Sequence, residues 1–241
     1  MKHSVASHRQ LSFDEESIFH PSTALSQKLK AYIHNEGVAS TRCRGEYLFH
    51  QGDHVGNIYY IDEGCVAILN HCKNDHRQIF DFLFSNSIIL DAGGITWKAN
   101  HSAQCMSEVN MHILSSESFR RILMAEPQLY SAVAEIMSNS VARAYRGLGN
   151  IMCRQGPARV AYILLSVHSA KNQDLMDFPK TTPSDNRIKI RQVDLAAAIG
   201  VTPVYFNQIL KKMKADGLIN LIKGEIEICD IKSIKETALM H

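Results

Sequence analysis

The chain has 241 residues and a mass of 27.1 kDa, with 45% hydrophobic and 21% charged residues. That balance fits one large or two small globular domains with a real apolar core and excludes disordered and fibrous classes. The formal charge of +2 conceals a division: residues 1–149 carry 13 basic and 15 acidic side chains, while residues 150–241 carry 13 and 9. A basic C-terminal part beside an acidic body points to an anionic partner for that part alone.

No window approaches the roughly 18 apolar residues of a membrane span, and the first residues lack the apolar centre of an export signal. A cytoplasmic protein with no membrane partner is expected. The six cysteines, Cys43, Cys65, Cys72, Cys105, Cys153 and Cys229, form no C-x-x-C pair. They read as reduced thiols, most of them buried as small hydrophobes.

Residues 1–25 are polar and without period, and are expected to be a loosely held segment. Residues 26–125 are expected to form a β-barrel domain. From residue 41 short apolar runs alternate with turn signals: Tyr47-Leu48-Phe49 before Gln51-Gly52-Asp53, and Ile58-Tyr59-Tyr60-Ile61 before Asp62-Glu63-Gly64. Further strands are expected at 65–69, 78–83, 87–90, 102–107 and 110–114. About eight short strands of this kind suggest a barrel or jelly roll. A short helix is expected at 116–125.

A long helix at 126–153 should follow, opening near Pro127. Along it Ala134, Met137, Val141, Ala144, Leu148 and Ile151 recur at spacings of three and four, the seam of a helix that pairs with another helix. The seam is read as a homodimer interface. Residues 154–241 then form a separate module, with a helix at 158–169 and a polar loop or short hairpin at 172–186.

The strongest motif is QVDLAAAIGVTPVYFNQILK at 192–211. A helix-turn-helix needs a small residue where its helices touch, a glycine at the turn and apolar residues joining the two helices. Ala196, Gly200 and the set Leu195, Ile199, Val201, Phe206 and Ile209 supply them. Thr202 is a suitable N-cap, and Pro203 fits the first helical position. Leu218-Ile219-Asn220-Leu221, Lys223-Gly224 and Glu225-Ile226-Glu227-Ile228 read as a two-stranded wing.

A winged helix-turn-helix on the basic module is a duplex DNA-binding layout. Thr202, Val204, Tyr205, Asn207 and Gln208 are the expected base contacts, since Gln and Asn pair with adenine while Val and Tyr surfaces can meet a thymine methyl. Arg191, Lys211, Lys212, Lys214 and Lys223 are the expected phosphate contacts.

This order of elements resembles the cyclic-AMP receptor/FNR superfamily of bacterial transcription regulators. The anchors are the barrel strands around 45–53 and 58–66 and the winged helix-turn-helix. The resemblance implies an α+β fold: an N-terminal cyclic-nucleotide-binding-like β-barrel (jelly roll), a dimerisation helix and a C-terminal winged helix-turn-helix. It also implies a homodimer on a roughly palindromic operator, with RNA polymerase as the further partner an activator needs.

Cyclic-nucleotide binders in the family carry a phosphate-binding cassette. Here Gly94 and Ile95 lie in that stretch, with Ile95 where the ribose-binding carboxylate belongs. His101 and Ser102 follow, with His101 in place of the phosphate-binding arginine. A neutral imidazole cannot replace a bidentate guanidinium, so these four residues read as a degenerate effector pocket and cyclic AMP is not expected to bind.

The cysteines lack the N-terminal clustering of an iron–sulfur sensor. No cofactor or metal is expected, although His50, His54, His71, Cys72 and His76 are conceivable metal or haem ligands and Cys105 a conceivable redox handle. Alternatives within the family are a regulator that binds DNA constitutively and is controlled by its expression level, and a redox-, haem- or metal-responsive sensor. A catalytic function is not expected: no H-x-H pair of a cupin metal site occurs, nor any triad-like grouping.

Overall fold

The computed structural model describes residues 24–71, 77–90, 98–172 and 185–239. It opens with a helix, α1 (Ala24–Glu36), where residues 1–25 were expected to be loose and 26–40 carried no expected element. Leu29 and Ile33 are its buried apolar anchors, with Leu25 and Tyr32 partly buried beside them, a short stripe at helical spacing set among polar residues. They pack with Ile58, Leu114 and Phe119 in a core of their own.

Eight strands follow: β1 (Val38–Arg42), β2 (Tyr47–Phe49), β3 (Asn57–Glu63), β4 (Val66–His71), β5 (Arg77–Leu83), β6 (Ser87–Ile89), β7 (Ser102–Cys105) and β8 (Val109–Ser115). They form two antiparallel four-stranded sheets, ordered β1-β8-β3-β6 and β2-β7-β4-β5. Between the sheets Phe49, Tyr59, Ile61, Val66, Leu83, Cys105 and Met111 fill the interior. In β4 the alternation is plain: Val66 faces that interior, while Ala67 and Leu69 belong to a second core.

The barrel leads into α2 (Ser116–Ala125), whose N-cap Ser115 accepts a hydrogen bond from the Ser118 N–H at 3.1 Å. The long helix α3 (Leu129–Cys153) starts two residues after Pro127, because residues 127–128 turn before the helix begins. At 25 residues it is about 37 Å long.

The C-terminal part comprises α4 (Gly156–Lys171), β9 (Arg187–Ile188), α5 (Gln192–Ala198), α6 (Pro203–Ala215), β10 (Ile219–Ile222), β11 (Glu225–Ile228) and α7 (Ile231–Ala238). α4 is buried on several faces through Ala158, Val160, Ala161, Leu164, Leu165 and Val167, which marks it as a central core helix. The wing is three-stranded, order β10-β11-β9, and not the expected two. Two residues of β9, Arg187 and Ile188, pair with Glu227 and Ile226; so short a strand leaves no periodic trace.

One apolar cluster crosses the boundary between the two parts. Cys65, Ala67, Leu69, Ile79 and Phe82 from the barrel join Leu164, Leu195, Phe206 and Ile226. Of the five described cysteines, Cys65 and Cys105 are buried while Cys43, Cys153 and Cys229 are exposed. The expectation that most are buried is therefore corrected, since the three exposed ones lie just beyond a strand or at a helix end. Cys72 lies outside the described residues.

Candidate nucleic-acid interface

The helix pair α5–α6 bends through 106°, within the range of a helix-turn-helix. Gly200 occupies the turn at φ 66°, a conformation that costs a side-chain-bearing residue more than glycine. The Val201 N–H returns to the Ala196 carbonyl at 3.1 Å and closes the turn. Thr202 then caps α6, its Oγ1 accepting from the Tyr205 N–H at 3.2 Å, with Pro203 in the first turn.

One face of α6 is committed inward through Phe206, Ile209, Leu210 and Met213. The opposite face presents Thr202, Val204, Tyr205, Gln208, Lys211, Lys212 and Lys214, all exposed. Asn207 is half-buried, and its Nδ2 donates to the Pro203 carbonyl at 3.1 Å. The Tyr205 ring covers Gly156, where a methyl group would stand 2.2 Å from its hydroxyl. Lys223 sits exposed at the wing tip with φ 49°, followed by Gly224 at φ 85°, the turn geometry of a two-residue hairpin.

Arg191, expected as a phosphate contact, is exposed and ion-paired within its own chain. Its Nε donates to Asp194 Oδ2 at 2.8 Å and its Nη2 to Oδ1 at 3.3 Å. The Asp194 side chain is fully buried and also receives Arg77 of β5, which in turn donates to Gln104 Oε1 at 2.9 Å. Sequence reasoning missed this clamp. Its only local signal was an Arg and an Asp three residues apart, because the second arginine lies 117 residues away.

On α3, Ala134, Met137, Val141, Ala144 and Leu148 are exposed, with Met137 44%, Val141 52% and Leu148 53% accessible. Ile151 is half-buried, and Met152, 72% accessible, takes its place on the stripe. A straight helix drifts about 20° per heptad from a seven-residue repeat, which accounts for the slip at the seam's end. Tyr130 and Tyr145 extend the exposed stripe.

In the barrel, Ser102 is buried and its Oγ accepts from the Gln51 N–H at 2.9 Å. The bond ties β7 to the turn that follows β2. His101 is half-buried with its ring 5.9 Å from Phe49. Gly94 and Ile95 lie outside the described residues.

His71 shares a 2.9 Å hydrogen bond with the Tyr47 hydroxyl, and His50 stacks on the Tyr47 ring at 4.1 Å; Cys72 and His76 lie outside the described residues. Burial pushes the Cys105 thiol up to about 11 and that of Cys65 further still. Both therefore stay protonated at neutral pH, which removes the thiolate a redox handle needs. No single helix among the described residues is long and apolar enough to cross a membrane.

Two domain families match in the order the geometry demands: a cyclic nucleotide-binding domain over residues 41–126 and a Crp-like helix-turn-helix domain over residues 158–237. The chain belongs to the cyclic-AMP receptor/FNR superfamily. Among curated relatives, the CRP-like protein Clp of Xanthomonas euvesicatoria is 21% identical over 180 residues, covering 72% of this chain and 76% of that protein. The HTH-type transcriptional regulator Cmr of Mycobacterium tuberculosis is 25% identical over 195 residues, covering 80% and 73%. Among solved structures, FixK2 from Bradyrhizobium japonicum superposes with a TM-score of 0.71 at 12% identity, covering 83% of this chain and 96% of that one. As a superfamily member the protein is a DNA-binding transcription regulator, and the family is one of regulators and not of enzymes.

Proposed function

We propose that this superfamily member acts as a homodimer that reads a roughly palindromic operator and does so without cyclic AMP. The reading rests chiefly on α6, whose buried row of Phe206, Ile209, Leu210 and Met213 leaves Thr202, Val204, Tyr205 and Gln208 facing outward. Entering a major groove, Gln208 would pair with adenine while Val204 and Tyr205 meet thymine methyls. Asn207 contributes at the edge of this row, its amide already engaged by Pro203. Lys211, Lys212, Lys214 and Lys223 would hold the flanking phosphates, giving affinity without sequence.

Dimerisation through α3 is supported by its uncovered apolar stripe. Two recognition helices related by a twofold axis would then meet half-sites about 34 Å apart. The domain division at residues 126 and 154 belongs to the same reading, with α3 joining the barrel to the DNA-binding part.

Independence from cyclic AMP is supported by chemistry at two positions. Ile95 carries no carboxylate for a ribose, and the imidazole of His101 offers no bidentate fork for a cyclic phosphate. The Ser102 Oγ accepts from the Gln51 N–H. RNA polymerase would be the second partner of an activating form.

Gln208→Ala should weaken binding to an operator obtained by in vitro selection by about 1–3 kcal/mol, mainly through lost discrimination at one base pair per half-site. Fluorescence anisotropy against matched and mismatched duplexes measures it. A loss well under about 1 kcal/mol with unchanged base preference would remove Gln208 from the reading set.

A further inference from the structure

The sequence drew attention to histidines on the β-hairpins, but a different set converges in space. His34 lies in the last turn of α1, Asp62 near the end of β3 and His112 in the middle of β8. His112 Nδ1 stands 2.7 Å from Asp62 Oδ2, and His34 Nε2 stands 3.6 Å from Asp62 Oδ1. The two imidazoles lie 4.1 Å apart, centroid to centroid. One donor atom from each of the three residues falls within 4.8 Å of the others.

Two features of the backbone bring these groups together. His112 pairs with Tyr60 across the β3–β8 ladder, so His112, Tyr60 and Asp62 share a sheet face. The register slips between Ile61 and Glu63, which pair with Met111 and Asn110, and so leaves Asp62 as the extra residue of a bulge. A bulge bends its strand and re-aims the side chain it carries; here the carboxylate is turned toward His112. The second feature is the approach of the helix. Gly37 ends the α1 connection so close to β8 that a methyl group there would stand 3.1 Å from the His112 Cβ. Only glycine lets the last turn of α1 carry His34 over this spot.

We propose that His34, Asp62 and His112 form a binding site for a divalent first-row transition-metal ion of the zinc type, which ties the end of α1 to the barrel. Two neutral imidazoles and one carboxylate suit such ions and not Mg²⁺ or Ca²⁺, which prefer all-oxygen shells. Three protein ligands leave a fourth, tetrahedral position to water. Metal–donor bonds of about 2.0–2.1 Å place neighbouring donors about 3.3 Å apart. The ion therefore enters by displacing the hydrogen bond between His112 and Asp62, with His34 drawn inward to bring all three donors to that spacing. His34 has the freedom to close the site, since its side chain is 53% exposed. From there α1 reaches the long helix through the Ser26 hydroxyl, which donates to Glu135 Oε2 at 2.9 Å, while Lys28 and Tyr32 both bond Glu126 at the end of α2. An ion at His34 would thus hold the strut between the barrel and α3.

The test uses the full-length, tag-free protein, stripped with chelator and titrated with Co²⁺ as a spectroscopic probe, with Zn²⁺ as competitor. Wild type is compared with His34→Gln and His112→Gln by visible absorption, bound-metal stoichiometry and thermal unfolding. The expected result is one equivalent of tetrahedral Co²⁺, displaced by Zn²⁺ and accompanied by a rise in Tm. Either variant should lose that equivalent or bind it at least about tenfold more weakly. Equal stoichiometry and affinity in wild type and His34→Gln, or no bound Co²⁺ in the wild type, would overturn the proposal. His34 is exposed, so its variant keeps the native circular dichroism and decides the matter even if His112→Gln fails to fold.

Discussion

Replacing Val141 and Leu148 together with glutamate is expected to produce a folded monomer whose operator affinity is lower by about 10²- to 10⁴-fold. Both side chains are half exposed on their own chain, so the substitutions disturb little within one protomer. Across a twofold α3–α3 interface they would bring four carboxylates into an apolar seam. Each aliphatic side chain removed there forfeits about 1.5–3 kcal/mol of burial, and each charge must either stay hydrated or meet its like. Monomers bind half-sites separately and lose the effective-concentration advantage of a linked pair, which is the source of the 10²- to 10⁴-fold figure. Sedimentation velocity and anisotropy on the same samples check both parts. A variant that remains dimeric, or a monomer that binds the full operator as tightly as wild type, would contradict the role given to α3.

The second large effect is expected at Asp194. Asp194→Ala should destabilise the protein by about 3–5 kcal/mol in urea unfolding, the usual cost of leaving buried or half-buried partner charges uncompensated. The carboxylate is completely buried and bonded to both Arg77 and Arg191. The triple variant Asp194→Leu/Arg77→Met/Arg191→Met should recover most of that loss, because exchanging a whole buried ionic group for apolar residues is often nearly neutral. It should also loosen the DNA-binding part from the barrel, since Arg77 is the charged link between β5 and α5. If the triple variant were as unstable as Asp194→Ala, packing and not unpaired charge would be the cause.

These two expectations differ in how far the sequence discloses their basis. The α3 stripe and the helix-turn-helix are local patterns: Ala134 to Leu148 recur at helical spacing, and the turn glycine, cap and core of α6 all fall between Gly200 and Met213. Each can be read without knowing the rest of the chain, apart from the slip from Ile151 to Met152 at the end of the stripe. The Asp194 clamp is not local, because Arg77 and Asp194 meet only when β5 packs on α5. For the same reason Arg191 looked free for phosphate.

Other features were hidden by brevity or by context. α1 carries only one short apolar stripe, Leu25, Leu29, Tyr32 and Ile33, among polar neighbours, and β9 is two residues long. The cluster of His34, Asp62 and His112 depends on a bulge that no residue pattern announces. The expected loss of cyclic-nucleotide binding rests on residue type alone, at Ile95 and His101, whereas the bond between Ser102 and Gln51 emerged from the fold. The cysteines mislead in a simple way: average burial of the residue type says little about Cys43, Cys153 and Cys229 at the ends of elements.

The most direct measurement is the affinity of the purified, effector-free protein for a selected palindromic operator, titrated across salt concentrations with and without cyclic AMP. Tight, sequence-specific binding unchanged by cyclic AMP is expected. The logarithm of affinity should fall against log salt with a slope of about −7, if four lysines on each protomer of the dimer neutralise phosphates. Binding that required cyclic AMP, or that failed to distinguish the operator from scrambled duplex, would contradict the proposed mode of action.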